Sequence, residues 1–246
     1  MDNMRNLEPF SVYSLSPVSN VCNQTLREAI TFPNFSMAHV IMAPESISLL
    51  HKHKKMTEIY FILEGDGILY HNNSALKVEG SSYSLLVPNT PHKLKNFQNT
   101  LEHLVFAIPS FDQNDVELLP DNMSEMKPEV FSYNREPILA LDGALIFELT
   151  SEEERKKFGI GLAVGNLLPG RRAIPHYHNK SDEFYYCISG VGAVRVGVNY
   201  FKMEKGMVIP VPKGRVHALE NFSNLQDLSV LCLTSPEYKP NDFIFE

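Results

Sequence analysis

Hydrophobic and polar positions along this chain alternate in short runs, and the runs are broken by Gly and Pro. "EIYFILEGDGILY" (58–70) and "EFYYCISGVGAVRVGV" (183–198) are dense in aromatic and β-branched residues and interrupted by glycine. "SYSLLVPNTPH" (82–92) and "GMVIPVPKGRVH" (206–217) are apolar runs punctuated by proline. Such segments predict short strands closed by turns. Their regular recurrence predicts an all-β sandwich or barrel. One helix is expected, at "TSEEERKKFG" (150–159). There Ser151 and Glu154 form a capping box, acids open the segment and bases close it.

The pattern occurs twice. "HKHKKMTEIYFILEGDG" (51–67) returns 125 residues later as "HYHNKSDEFYYCISGVG" (176–192), with seven of seventeen positions identical. At the same offset His92 maps onto His217, Leu94 onto Leu219 and Asn96 onto Asn221. An internal repeat outranks residue-level reading, so two homologous domains are expected, 1–112 and 131–246. The acidic, Pro-containing stretch 113–130 shows no strand alternation and is expected to be a linker.

The repeated residues carry chemistry. Positions i and i+2 of a strand share a face, so His51 with His53, and His176 with His178, present paired imidazoles. Glu58 and Glu183 stand five residues further on, an odd spacing that requires a turn at "KKMT" and "NKSD". His92 and His217 follow the second His of each pair by 39 residues, and a neighbouring strand can bring them into the same cavity. Three imidazoles and one carboxylate suit a divalent transition ion better than Ca(II) or Mg(II). Four protein ligands on an octahedral ion leave two positions open.

These residues resemble the cupin superfamily, whose motifs are G-x5-H-x-H-x3,4-E-x6-G and G-x5-P-x-G-x2-H-x3-N. "HYHNKSDEFYYCISG" and "HKHKKMTEIYFILEG" match the first motif from its first His onward, and neither half is read as carrying its leading Gly. "GMVIPVPKGRVHALEN" (206–221) matches the second motif at every fixed position. "VPNTPHKLKN" (87–96) departs from it by lacking the Gly, and a tighter loop is expected there. The resemblance implies a bicupin of two tandem double-stranded β-helix (jelly-roll) barrels with little helix. It implies metal ligands His51, His53, Glu58 and His92 in the first barrel and His176, His178, Glu183 and His217 in the second. Up to two ions per chain are expected, Fe(II) or Mn(II) before Ni(II), Cu(II) or Zn(II).

Tyr60 and Tyr185 share parity with the two glutamates and are expected to line the cavities as candidate catalytic donors. Asn96 and Asn221 are expected at barrel ends. His39, His71 and His103 have no His counterpart in the second half; they are expected to be ordinary strand histidines, with a base special to barrel one as the alternative. Arg171, Arg172 and Arg195 are candidate anion binders, with a surface role as the plainer reading.

Bulk properties narrow the class. The net charge of −7 offers no basic face for nucleic acid. Three cysteines form no disulfide framework. "MDNMRNLEPF" lacks the apolar core of a signal peptide, no segment is apolar enough for a membrane helix, and a cytoplasmic protein is expected. The expected function is a metalloenzyme acting on a small enolic, phenolic or carboxylate substrate. An O2-dependent dioxygenase is the first reading. A non-redox isomerase, decarboxylase or cyclase is the second, and a non-catalytic binding protein the third. The expected partners are a small-molecule substrate, O2 and, from the resemblance, a second copy in a homodimer.

Overall fold

The computed structural model describes residues 7–121, 128–130 and 136–246. Strands dominate, and the helix lies at Glu152–Phe158 with Ser151 as its N-cap and the expected reciprocal bonds to Glu154. Gly159 ends it in the left-handed conformation.

The chain divides into two units, one of Leu15–Asn134 and one of Met1–Ser14 with Arg135–Glu246. The first unit contains two six-stranded sheets. One runs Val18–Ser19, Thr25–Phe32, Phe35–Met42, Leu101–Ile108, Thr57–Glu64, Tyr83–Leu86. The other runs Val116–Leu118, His51–His53, His92–Asn96, Asp66–His71, Ser74–Glu79, Glu129–Val130. The second unit repeats this order. Its larger sheet runs Ile138–Leu139, Leu145–Glu148, Gly161–Leu167, Leu228–Ser235, Asp182–Ser189, Met207–Val211, and adds Phe10–Ser11 at the end. Its smaller sheet runs Phe243–Phe245, His176–His178, His217–Asn221, Gly192–Val196, Asn199–Met203. Each unit is thus a jelly-roll barrel, as expected. The inward faces close over a core, around Val40, Tyr60, Ile62 and Leu94 in one and Tyr185, Cys187, Val194 and Leu219 in the other.

Three details differ from the sequence reading. First, the division of the chain is not a cut at 112 and 131. Phe10 and Ser11 pair with Val208 and Met207, inside the second unit. Second, the stretch 113–130 is not a bare linker. Val116–Leu118 pairs antiparallel with His51–His53, and Glu129–Val130 pairs with Leu76 and Lys77. A three-residue strand is too short to show alternation, which is why composition hid it; residues 122–127 lie outside the described part. Third, the offset of 125 holds as far as Asn96 and Asn221 but becomes 127 in the next strand. Val105 pairs with Tyr60 whereas Cys232 pairs with Tyr185. The second unit carries two more residues in the preceding loop, so the counterpart of His103 is Val230, not Leu228.

Backbone conformation is shared where residue type is not. Every described non-Gly residue with positive φ lies in the first unit: Asn23, Glu45, Asn72, Ser81 and Asn89. The matching positions of the second unit are glycines, all with positive φ: Gly143, Gly170, Gly197, Gly206 and Gly214. Two of these correct the motif reading. Gly170 does stand six positions before His176, where the first motif places its leading Gly, and Glu45 adopts that conformation at φ 60° in the first unit. Asn89, at φ 65°, takes the place of Gly214. The Asn89 amide donates to the His53 carbonyl at 2.6 Å and the Gly214 amide to the His178 carbonyl at 2.7 Å. The loop is therefore equivalent and not tighter, because Asn tolerates the left-handed region that the turn needs.

Candidate metal centres

The odd spacing between the His pair and the Glu is resolved by a change of sheet. His51–His53 belongs to the smaller sheet and Thr57–Glu64 to the larger one, so the chain must turn sharply between them. A buried aspartate from a distant strand connection shapes that turn. The Asp115 carboxylate accepts the Lys55 amide at 3.1 and 3.0 Å and the Met56 amide at 2.9 Å. In the second unit the Asp242 carboxylate accepts the Lys180 amide at 2.7 Å, the Ser181 amide at 3.0 Å and the Ser181 hydroxyl at 2.8 Å. Sequence reading missed both residues. Their signal was present, an Asp four residues after Phe111 and a second just before the terminal "FIF", but nothing local distinguishes such an Asp from a turn residue.

His92 arrives on the strand next to the His pair and sits opposite His51; His217 sits opposite His176. The result is two clusters, His51, His53, Glu58 and His92, then His176, His178, Glu183 and His217. All eight side chains are buried, and the ligand atoms of each set lie within 4.8 Å of one another. The structure thus brings together every residue in both expected sets.

Carbonyls two residues upstream orient four of the six rings. The Nδ1 of His51, His92, His176 and His217 donates to the carbonyls of Leu49 (2.7 Å), Thr90 (2.9 Å), Ile174 (2.9 Å) and Arg215 (2.9 Å). A ring that donates through Nδ1 presents an Nε2 lone pair at the other end, and this arrangement fixes orientation and tautomer in metal-binding histidines. Glu58 Oε2 lies 3.1 Å from both His53 Nε2 and His92 Nε2. Glu183 Oε2 lies 3.4 Å from His178 Nε2 and 3.0 Å from His217 Nε2. Several of these atoms, including His53 Nε2, Glu183 Oε2 and His217 Nε2, are buried without an aligned hydrogen bond. Buried polar atoms need a partner, and a cation held by the four side chains of each cluster would supply one.

The protonation states agree. Burial raises the Glu58 and Glu183 carboxyls, but the flanking histidines, His53 and His92 or His178 and His217, outweigh it and hold both well below the usual carboxylate range. Burial, then repulsion from the neighbouring His92 or His217, pulls His51 and His176 down to about 4. Burial also lowers His53 and His178, yet the glutamate beside each wins and lifts it. Each cluster therefore offers a carboxylate and at least one imidazole already neutral at pH 7, as metal ligation requires.

Tyr60 and Tyr185 line the cavities that open onto the clusters. Their rings lie 5.9 Å from His92 and His217. Burial, then the nearby glutamate charge, pushes both phenols well above their usual range, so each stays a neutral phenol and not a phenolate. The remaining candidates fall elsewhere. Arg172 pairs with Glu220 at 3.1 Å and Arg195 with Glu246 at 2.6 Å, and Arg171, Arg172 and Arg195 line neither cavity. His39 bonds Glu102 at 2.7 Å. His103 is fully buried behind Tyr60, ring centroids 5.4 Å apart. Asn96 and Asn221 staple barrel ends, donating to backbone carbonyls of Met42, Ala43 and Asn99 and of Leu167 and Gln226. Arg155, unsingled in the sequence, lines the second cavity and pairs with Glu148 at 3.0 Å.

Comparison with known proteins agrees with this geometry. The family model described as "Cupin domain" matches residues 163–234. An uncharacterized protein of Methanocaldococcus jannaschii is 38% identical over 85 residues, covering 34% of this chain and 68% of that protein. The tetracenomycin polyketide synthase protein TcmJ of Streptomyces glaucescens is 36% identical over 59 residues, 24% of this chain and 40% of that protein. Oxalate decarboxylase from Bacillus subtilis superposes with a TM-score of 0.70 over 95% of this chain and 77% of that one, at 18% identity. The Lactobacillus farciminis oxalate decarboxylase superposes with a TM-score of 0.72 over 98% of this chain and 88% of that one, also at 18%. Among the described residues no helix is long and apolar enough to cross a membrane. Two barrels of one fold, each with the full ligand set, and a relative matched over two thirds of its length place this chain in the cupin family, as a member with two barrels.

Proposed function

We propose that this chain is a metal-dependent enzyme that converts a small organic substrate by non-redox chemistry, in the class of decarboxylation, isomerisation or cyclisation. The observation that carries the reading is a buried four-ligand cluster opening onto a cavity of about 480 Å³ with a protonated tyrosine beside it. The eight ligand positions would hold one divalent ion per barrel, with Mn(II) or Fe(II) first. Such an ion acts as a Lewis acid toward a substrate carbonyl, carboxylate or enolate oxygen. The chain's own residues do the rest. The cavity walls exclude water and hold the substrate near the cluster. Tyr185 and Tyr60 stay protonated and donate a hydrogen bond to a substrate oxygen at the cavity floor. Decarboxylation, the reaction named for the oxalate decarboxylases that share this fold, involves no net oxidation of the substrate, and it supports this class over a dioxygenase.

The test is turnover by Mn(II)- or Fe(II)-loaded protein across a panel of keto acids, enols and phenolic acids, under strict anaerobiosis and in air. Equal turnover in both is expected. Turnover in air alone would replace the proposal with a dioxygenase. Metal uptake with no turnover in either would leave a binding protein.

A further inference from the structure

The two cavities are alike in size, about 440 Å³ in the first unit and about 480 Å³ in the second, but they are built for different occupants. The hairpin at each mouth has the same shape. Asn20 donates to the Gln24 carbonyl and Ala140 to the Ala144 carbonyl, and the turn closes on Asn23 or Gly143, both with positive φ. Aligned on these bonds, Ser19, Asn20 and Gln24 of the first mouth become Leu139, Ala140 and Ala144 of the second. All six line their cavities. The wall strand changes in the same sense. Ser36, Ala38 and Val40 become Gly161, Ala163 and Gly165, and behind them His103 becomes Val230. A Cβ on Gly165 would meet Ile146 Cδ1 at 3.3 Å and Val230 Cγ2 at 3.5 Å, so the missing side chain widens the space between apolar walls.

The rim supports the same conclusion. Ile138, Leu139 and Leu141 are 55%, 70% and 61% exposed. Three large aliphatic side chains in water around one mouth mark a binding surface better than chance exposure does. Ligand sites are mostly apolar with a few polar groups that orient the ligand. Here the inner polar end is the buried His–Glu cluster and Tyr185, the mouth carries Ile138, Leu139 and Leu141, and Asp142 and the paired Glu148 and Arg155 add the few polar groups of the remaining lining.

Resting on the metal-dependent reading above, we propose that the second barrel binds a flat aromatic acid or phenolate of two-ring size, with its oxygens toward His176, His178, Glu183 and His217 and its ring body between Leu139, Leu141 and Gly165. The first barrel, where Ser19, Asn20 and Gln24 share the mouth with the smaller aliphatics Val18 and Val21 and where Val40 stands in place of Gly165, excludes it and takes smaller, more polar ligands.

The test is a fluorescence titration of Mn(II)-loaded protein with 1-hydroxy-2-naphthoate, with oxalate as the small polar competitor. One naphthoate per chain is expected. Gly165→Val should weaken it about tenfold or more, since the ring loses its slot. Leu139→Ser lies on the exposed rim, where it cannot harm folding, and should weaken it several-fold. Val40→Leu, in the other barrel, should leave it unchanged, and oxalate should not displace it. Two equivalents of equal affinity, displacement by oxalate, no binding at all, or indifference to both Gly165→Val and Leu139→Ser would overturn the proposal. Binding is read independently of turnover. A protein that binds naphthoate in this pattern but converts nothing keeps this inference and loses the enzymatic reading. One that converts keto acids yet ignores naphthoate does the reverse.

Discussion

The two barrels hold the same cluster in different surroundings. Ligand identity, the i−2 carbonyl bonds to the rings and the aspartate that shapes the turn are common to both. What differs is the turn chemistry, the buried histidines and the cavity lining. The first barrel has five non-Gly residues in left-handed backbone where the second has Gly, and His103 where the second has Val230. The clustered His and Glu side chains and the tyrosine beside them are thus duplicated, while the mouth, the wall strand and the turn residues have diverged.

The comparison can be broken first at the ligands. His53→Ala and His178→Ala should each lower bound metal from two equivalents per chain to one, by elemental analysis, with the other barrel still loaded. Loss of both ions from either variant would mean that the sites are not independent.

The aspartates should be next in size. Asp115→Asn or Asp242→Asn weakens hydrogen bonds to two backbone amides that shape the turn before the Glu ligand. Outer partners of this type typically hold about 10–100-fold of metal affinity. Competition with a chelator should show that loss in the mutated barrel alone. An unchanged affinity would show that strand pairing by itself shapes the turn.

The third test separates the barrels by pH. Burial, then repulsion from His39, pulls His103 down to about 3, whereas an unfolded histidine titrates near 6.5. Between these values the unfolded chain takes up a proton that the folded barrel refuses, so stability falls as pH drops from about 6.5 toward 3. His51 and His176 add the same trend, down to about 4, equally in both barrels. Denaturant unfolding of metal-free protein should therefore show the first barrel as the more acid-labile, and His103→Val should shrink the difference, leaving the part due to His71, which burial also lowers. A difference unchanged in His103→Val would refute this cause.

Two smaller effects complete the series. Glu45→Gly relieves a left-handed glutamate that costs roughly 1–2 kcal/mol, less about 0.5–1 kcal/mol of glycine entropy. It should stabilise the first barrel by up to about 1 kcal/mol in urea unfolding, and the reverse change Gly170→Glu should destabilise the second. Arg172→Ala removes the ion pair between the exposed Arg172 and the largely buried Glu220; it should shift stability by less than about 1 kcal/mol and leave metal content and turnover unchanged. A large loss of activity there would reinstate it as an anion binder.

Much of the site was legible in the sequence because its residues recur at one offset. His51, His53, Glu58 and His92 reappear 125 residues on, and no strand face needs such a set twice without a shared chemical demand. The odd spacing between His53 and Glu58 demanded a turn, and the structure places a change of sheet there. The all-β character followed from strand-length runs broken by Gly and Pro, the choice of barrel from the resemblance carried by the motifs, and the one helix from its capping box. The sequence alone determined, then, the ligands, the duplication and the all-β character, since each is written in residue type and local spacing.

Tertiary structure decided the rest, because the deciding contacts join residues far apart in the chain. Asp115 acts on Met56 across 59 positions and Asp242 on Ser181 across 61. Phe10 and Ser11 complete a sheet with Met207 and Val208, and the supposed linker supplies Val116–Leu118 to the strand that carries the first His pair. Backbone conformation is as hidden as contact. Asn89 stands for Gly214 because a left-handed turn accepts either residue, and the motif, written in residue types, registers only a mismatch. Likewise the apolar mouth of the second barrel is spread over a hairpin, a wall strand and a neighbouring strand, and only the closing of the sheets turns those separate positions into one cavity.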